Sequence, residues 1–118
     1  MKENLKIFNI VINMGNELDN LISFTKDIEN ERFAGIREEL KSNIITYNII
    51  ADKYMENSAK VSMQEVWDKF ELLLASFGRY ISERYLLHIT KVAYITCEEE
   101  EKLNNIVDNL EFLTEDED

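Results

Sequence analysis

Apolar residues recur every three or four positions along most of the chain, which is the period of an amphipathic helix. This pattern predicts four helical segments, at about 3–28, 33–57, 62–94 and 96–113. Two of the starts carry a capping box, a Ser or Thr followed three residues later by Glu: Ser62 with Glu65, and Thr96 with Glu99. Polar runs at 29–32 and 57–60 separate the first three segments.

Composition supports the same fold class. The 118 residues include no proline and three glycines, and turn pairs do not recur at hairpin spacing. Apolar residues make up 45% of the chain, enough for one hydrophobic core. We therefore expect an all-α protein, an antiparallel up-down four-helix bundle over residues 1–113, followed by an acidic disordered tail at 114–118.

The third segment has more apolar residues than one core can bury. Its main apolar face comprises Val66, Phe70, Leu73, Phe77, Ile81 and Val92. A second set lies on roughly the opposite side: Leu72, Ala75, Leu86 and Ala93. This arrangement predicts self-association through the second set, most simply as a homo-oligomer. The alternative is that some of these side chains are singly exposed, which is common.

Charge is unevenly distributed. Residues 98–118 hold ten acids and one base, a net −9, whereas residues 1–97 hold 14 acids and 12 bases, a net −2. Because the body is nearly neutral, binding of nucleic acid is not excluded. Arg32, Arg37 and Lys41 are candidates for contact with a partner or with phosphate, and the alternative is a solvated surface that pairs with Glu38 and Glu83.

Candidate catalytic chemistry is sparse. Arg84 and His88, one turn apart, resemble the Arg–His pair of HEPN-type helical ribonucleases, but only three residues separate them where that motif has four to six. The alternative is a structural pair, with the arginine charge on an acid from another helix or at the end of the bundle. One histidine cannot supply the two Glu-x-x-His motifs of a di-iron bundle. We therefore expect no metal, no cofactor and no enzymatic activity.

Localisation is predicted from three features. The chain has no apolar run of 18 residues, and residues 1–9 lack the apolar stretch of a signal peptide. The single cysteine, Cys97, cannot form an internal disulfide. These features predict a cytoplasmic protein without a membrane span.

Two stretches resemble one bacterial group. Residues 31–41, E-R-F-A-G-I-R-E-E-L-K, are similar to the opening of helix two in the ribosomal-RNA intervening-sequence proteins and the accessory variability determinant proteins of diversity-generating retroelements. Residues 94–103, Y-I-T-C-E-E-E-E-K-L, resemble that group's junction into helix four, and the resemblance covers about residues 5–113. It implies a four-helix bundle that assembles into a ring, typically a pentamer. In the retroelement branch, the ring binds a reverse transcriptase and nucleic acid through a basic surface, where Arg32, Arg37 and Lys41 occupy matching positions.

These observations lead to two main hypotheses, with a helical nuclease that uses Arg84 and His88 as a minor third. The first is a non-catalytic, oligomeric accessory or adaptor protein, a partner of an RNA-handling enzyme such as a reverse transcriptase. The second is an acidic inhibitor (an antitoxin, an immunity protein or a phage anti-defence factor) that blocks a basic site on its target.

Overall fold

A computed structural model describes residues 2–114, with side chains from Leu5 to Leu113. The α-helices are α1, Lys2–Ile22; α2, Glu31–Glu56; α3, Met63–Ile89; and α4, Cys97–Thr114. A single 3₁₀ turn, Ser23–Thr25, follows α1, and residues 2–114 contain no β-strand. The predicted all-α four-helix fold is confirmed. The predicted tail at 114–118 lies outside the described residues, except for Thr114, the last residue of α4.

Neighbouring helices run antiparallel. The Tyr47 hydroxyl of α2 donates to the Phe8 carbonyl of α1, and Gly15, further along α1, lies against Ile44, earlier in α2. Between α2 and α3, a residue early in α2 pairs with one late in α3, and a residue later in α2 packs on one early in α3. Short connections between antiparallel helices are typical of an up-down bundle.

Aromatic side chains pack at both ends of the core. At one end, Phe8 and Trp67 pack edge-to-face with ring centroids 5.0 Å apart, and Trp67 packs in the same way on Phe70 at 4.8 Å. At the other end, Phe33 and Tyr80 are 5.3 Å apart. Such pairs each add about 0.5–1.5 kcal/mol beyond the burial of their area. Side chains from all four helices therefore share one hydrophobic core.

Side-chain caps begin three of the helices. The side-chain oxygen of Asn30 accepts from the backbone N–H of Phe33 at 3.0 Å, at the start of α2. The Ser62 and Thr96 hydroxyls accept from the N–H groups of Glu65 and Glu99, both at 3.1 Å. These bonds satisfy donors that a helix start leaves free. The starts predicted from Ser62 and Thr96 are confirmed.

Two predicted helix ends are wrong. The first helix stops at Ile22 rather than near Ile28, because the Thr25 hydroxyl donates to the Ile22 carbonyl at 2.8 Å and closes a 3₁₀ turn. The third helix stops at Ile89 rather than Tyr94. There Lys91 adopts φ 65°, and the N–H of Val92 turns back to the carbonyl of Leu87 at 2.8 Å. This is the left-handed termination that glycine usually provides.

Within residues 2–114, none of the helices combines the length and the apolarity that crossing a bilayer requires.

Candidate functional site

The surface of α3 that faces away from the core carries a line of exposed positions at three- and four-residue spacing. We call this line the outer stripe, and it comprises Leu72, Ala75, Gly78, Ser82, Leu86 and Ile89. The exposed fractions are 53% for Leu72, 49% for Leu86 and 71% for Ile89. Isolated exposed leucines are ordinary, whereas several on one line form a surface that can bind a partner.

Three of the four residues predicted to mediate self-association lie on this stripe, and the fourth does not. Leu72, Ala75 and Leu86 are exposed on α3. Ala93 is in the connection after the helix, partly buried against the core. Placing Ala93 on the helix was wrong, because α3 ends at Ile89. The same early end leaves Val92 58% exposed, although it was predicted to belong to the core face.

The connection between α3 and α4 is held by Arg84. The guanidinium donates through Nε and Nη2 to the Glu99 carboxylate, both at 2.8 Å. It also donates to the backbone carbonyls of Ala93, at 2.8 Å, and Tyr94, at 2.9 Å. Both charged side chains are 2% exposed, so the pair is buried and its donors are used. Arg84 thus pairs with an acid from another helix, which was one of the structural alternatives considered for it.

His88 supports the same connection. Its Nδ1 accepts the backbone N–H of Ile95 at 3.0 Å, and its ring packs edge-to-face on Tyr94 with centroids 5.7 Å apart. An accepting Nδ1 carries no proton, so the ring is the Nε2–H tautomer in this arrangement. Arg84 and His88 therefore both contact the connection, and the fully buried arginine cannot contact a substrate.

The three basic residues predicted to contact a partner do not form one patch. Arg32 is on the side of α2 that faces α3, where its Nη2 lies 3.0 Å from a carboxylate oxygen of Glu83. Arg37 is on the side that faces α1; it donates to the carbonyl of Thr25 and lies over the ring of Phe33. Lys41, one turn after Arg37, is half-buried. Arg37 and Lys41 share a face, as their spacing predicted, whereas Arg32 is on another.

Acidic side chains line an open groove between α1 and α4. The groove has a volume of about 290 Å³, and the residues around it are mainly acids and amides: Glu17, Asn20, Glu98, Glu101, Lys102, Asn105 and Ile106. Across the described residues, His, Cys, Asp and Glu side chains nowhere form a group of three or more able to hold a metal ion.

Two buried tyrosines of the core have pKa values above the ordinary value for tyrosine. Burial raises the pKa of Tyr80 to about 12, and the hydrogen bond with Thr25 partly offsets this. Burial also raises the pKa of Tyr47, whose hydroxyl donates to the carbonyl of Phe8. Both tyrosines are therefore neutral core residues over the physiological pH range.

Sequence reasoning missed part of this surface. Ile89 was not assigned to the second apolar set, although it continues the spacing of Leu86, and Tyr94 is 66% exposed. Spacing alone could have identified Ile89. The exposure of Val92 and Tyr94 depends on where α3 ends, and no glycine or proline marks that position.

The chain matches no protein-family model, no curated protein and no solved structure.

Proposed function

We propose that this chain is a non-catalytic, self-associating accessory protein that acts beside an RNA-handling enzyme such as a reverse transcriptase. The observation that supports it best is the outer stripe of α3. Leu72, Leu86 and Ile89 are each about half or more exposed on one line, which is a surface suited to a protein partner. The resemblance of residues 31–41 and 94–103 to ring-forming bundle proteins supports the same function.

Arg32 and Lys41 are the best probes of RNA contact. The Arg32 side chain is 76% exposed, so it can exchange its pairing with Glu83 for a phosphate. Arg37 is a poorer probe, because its substitution also removes the bond to Thr25 within the fold. The two probes lie on different sides of α2, so an RNA that contacts both would have to cross that helix.

Affinity for RNA tests this function. Binding of a labelled single-stranded RNA oligonucleotide is measured by fluorescence anisotropy at two salt concentrations. We expect Lys41→Glu and Arg32→Glu each to weaken binding at least fivefold, and Lys102→Glu, an exposed lysine of α4, to change it less than twofold. Deletion of residues 111–118 leaves the affinity intact. An affinity that does not respond to either α2 substitution contradicts the proposed RNA contact.

A second candidate is an inhibitor that occupies a basic site on its target. The observation that favours it is the acidity of α4, where six acids face one base, beside the groove that Glu98 and Glu101 share with α1. If the chain is such an inhibitor, we expect it not to bind RNA. The target binds the wild-type chain and loses affinity when Glu98→Lys and Glu101→Lys are combined, because the charge complementarity is reversed. Both proposed functions fit the cytoplasmic location predicted from the sequence. The free thiol of Cys97 agrees with that location, because the cytoplasm keeps thiols reduced.

A further inference from the structure

We propose that two copies of this chain pack through the outer stripe of α3, with the two helices antiparallel about a two-fold axis at Ser82. This deepens the proposed self-association by naming its symmetry and its residue pairing. The occupant of the stripe is therefore a second copy, and the contact is the same on both subunits, so it closes as a dimer and not as the ring that the resemblance implies.

The order of side-chain sizes along the stripe favours this arrangement. After Leu72 at its start, the amino-terminal half of the stripe has small residues at Ala75 and Gly78, and the carboxyl-terminal half has large ones at Leu86 and Ile89. Parallel copies would place large against large. Antiparallel copies centred on Ser82 place Ile89 against Ala75 of the partner subunit, and Leu86 against Gly78 of the partner subunit. Large residues then fill the spaces over small ones, as in well-packed helix pairs.

Open space at Gly78 supports the close approach. A Cβ added at this position would meet no atom of the described residues within 4 Å, so the chain's own packing does not require glycine there. A glycine inside a helix costs about 0.5–1 kcal/mol relative to alanine. Space for the side chain of Leu86 of the partner subunit provides a reason for this glycine.

Charge complementarity selects the register. Arg79 and Glu83 flank the stripe on the side of α2, where each is paired within its own chain, to Glu39 and Arg32. With the axis at Ser82, Arg79 lies beside Glu83 of the partner subunit, and the reciprocal contact forms as well. An axis at Arg79 itself would place two arginines together, which is unfavourable.

Net charge also favours this face. The chain carries −11 overall, so two copies repel unless they meet where charge is balanced. Helix α3 holds four acids and three bases, and Lys91 follows it, which gives zero for residues 63–91. Helix α4 holds six acids and one base, a net −5. A contact through α3 therefore keeps the acidic helices away from the axis.

Sedimentation equilibrium tests the association. We expect the wild-type chain to have the mass of two chains, and Gly78→Leu to raise the dissociation constant more than tenfold, because the new side chain fills the space for the partner's Leu86. The matched control is Asn104→Leu, at an exposed position of α4, which leaves the dissociation constant unchanged. Circular dichroism confirms that both variants keep their helices.

Disulfide trapping tests the axis. In a Cys97→Ser background, Ser82→Cys should form a disulfide between copies under mild oxidation, because residues at the axis face each other. Leu72→Cys should not, because the two copies of residue 72 lie on opposite sides of the axis, about 30 Å apart along antiparallel helices. A monomer at 0.1 mM overturns both this contact and the proposed self-association. A multimer without the Ser82 cross-link overturns only the two-fold contact and leaves self-association standing.

Discussion

Glu99 has two interactions that belong to different levels of structure. Its backbone N–H donates to the Thr96 hydroxyl and begins α4, while its carboxylate accepts hydrogen bonds from Nε and Nη2 of Arg84. The capping box predicted the first interaction from sequence. The second could not be assigned, because Glu98, Glu99, Glu100 and Glu101 are equivalent in sequence, and only the packing of α4 on α3 selects one of them.

Removal of one partner of this buried pair should be costly. We expect Glu99→Ala to lower the free energy of unfolding by about 3–5 kcal/mol, because it leaves a buried guanidinium without a counter-charge. Replacing both residues, Arg84→Met with Glu99→Leu, should cost less than the single change. Urea unfolding followed by circular dichroism measures both. The exposed neighbour provides the control, since Glu100→Ala should change stability by less than about 0.5 kcal/mol. A Glu99→Ala protein as stable as wild type would show that the pair is unimportant.

Lys91 is the one residue other than glycine with positive φ among the described residues. At φ 65° a side chain costs roughly 1 kcal/mol that glycine avoids. We therefore expect Lys91→Gly to stabilise the protein by about 1 kcal/mol in thermal or urea unfolding. Lys91→Ala loses the same charge but keeps a Cβ, so it should be less stable than Lys91→Gly. Equal stability of Lys91→Ala and Lys91→Gly would contradict a backbone cost at this position.

At the scale of elements, the sequence predicted the number and order of helices and the starts of α3 and α4. These features depend on local chemistry: apolar spacing, and the hydroxyls of Ser62 and Thr96. The ends of α1 and α3 were placed too late, at 28 and 94, because apolar spacing continues past both true ends. Helix α3 ends where the Arg84 side chain binds the carbonyl of Ala93 and where the backbone of Lys91 adopts a left-handed conformation. Neither feature has a signature in the local sequence.

Helix glycines provide a prediction at this scale. A Cβ on Gly15 would lie 3.3 Å from Cγ2 of Ile44, where α1 crosses α2, whereas a Cβ on Gly35 would meet no atom of the described residues within 4 Å. We expect Gly35→Ala to stabilise the protein by about 0.5–1 kcal/mol through helix propensity. Gly15→Ala should gain less or lose stability, because Ile44 must move. Urea unfolding of the two variants gives the comparison, and equal gains would contradict the close contact.

For the whole molecule, the sequence predicted one core and a surplus apolar surface on the third helix. It placed three surface residues correctly on α3 but could not place Ala93, since that depended on the helix end. The basic residues show a different limit. All three predicted contact residues, Arg32, Arg37 and Lys41, lie within ten positions of α2. Even so, Arg32 is on the side of α2 that faces α3, and Arg37 is on the side that faces α1.

Stability of the whole fold should fall in alkaline solution. The folded-state pKa of Tyr80 is about 12, against an ordinary value of 10.0, and that of Tyr47 is raised as well. As the pH rises, the unfolded chain therefore loses these two protons before the folded chain does. The resulting contribution to the free energy of unfolding is complete below pH 10 and declines as the pH rises towards 12. From pH 9 to 11, Tyr80 alone should lower the free energy of unfolding by about 1 kcal/mol.

Urea unfolding at pH 9, 10 and 11 measures this decline. Tyr80→Phe, which has no proton to lose, should show a smaller decline than the wild type, although its starting stability is lower by the loss of the Thr25 hydrogen bond. A decline of equal size in both proteins would assign the alkaline sensitivity to other groups.

The connections after α2 and after α3 differ in a way that matters for engineering. Residues 57–60 are exposed and follow the end of α2, so an epitope tag or a fluorescent reporter inserted there should leave the domain intact. Residues 90–95 cannot be lengthened, because Arg84 and His88 bind their main chain at Ala93, Tyr94 and Ile95. Insertions should therefore be made at Ser58, and the connection after α3 should be left unaltered.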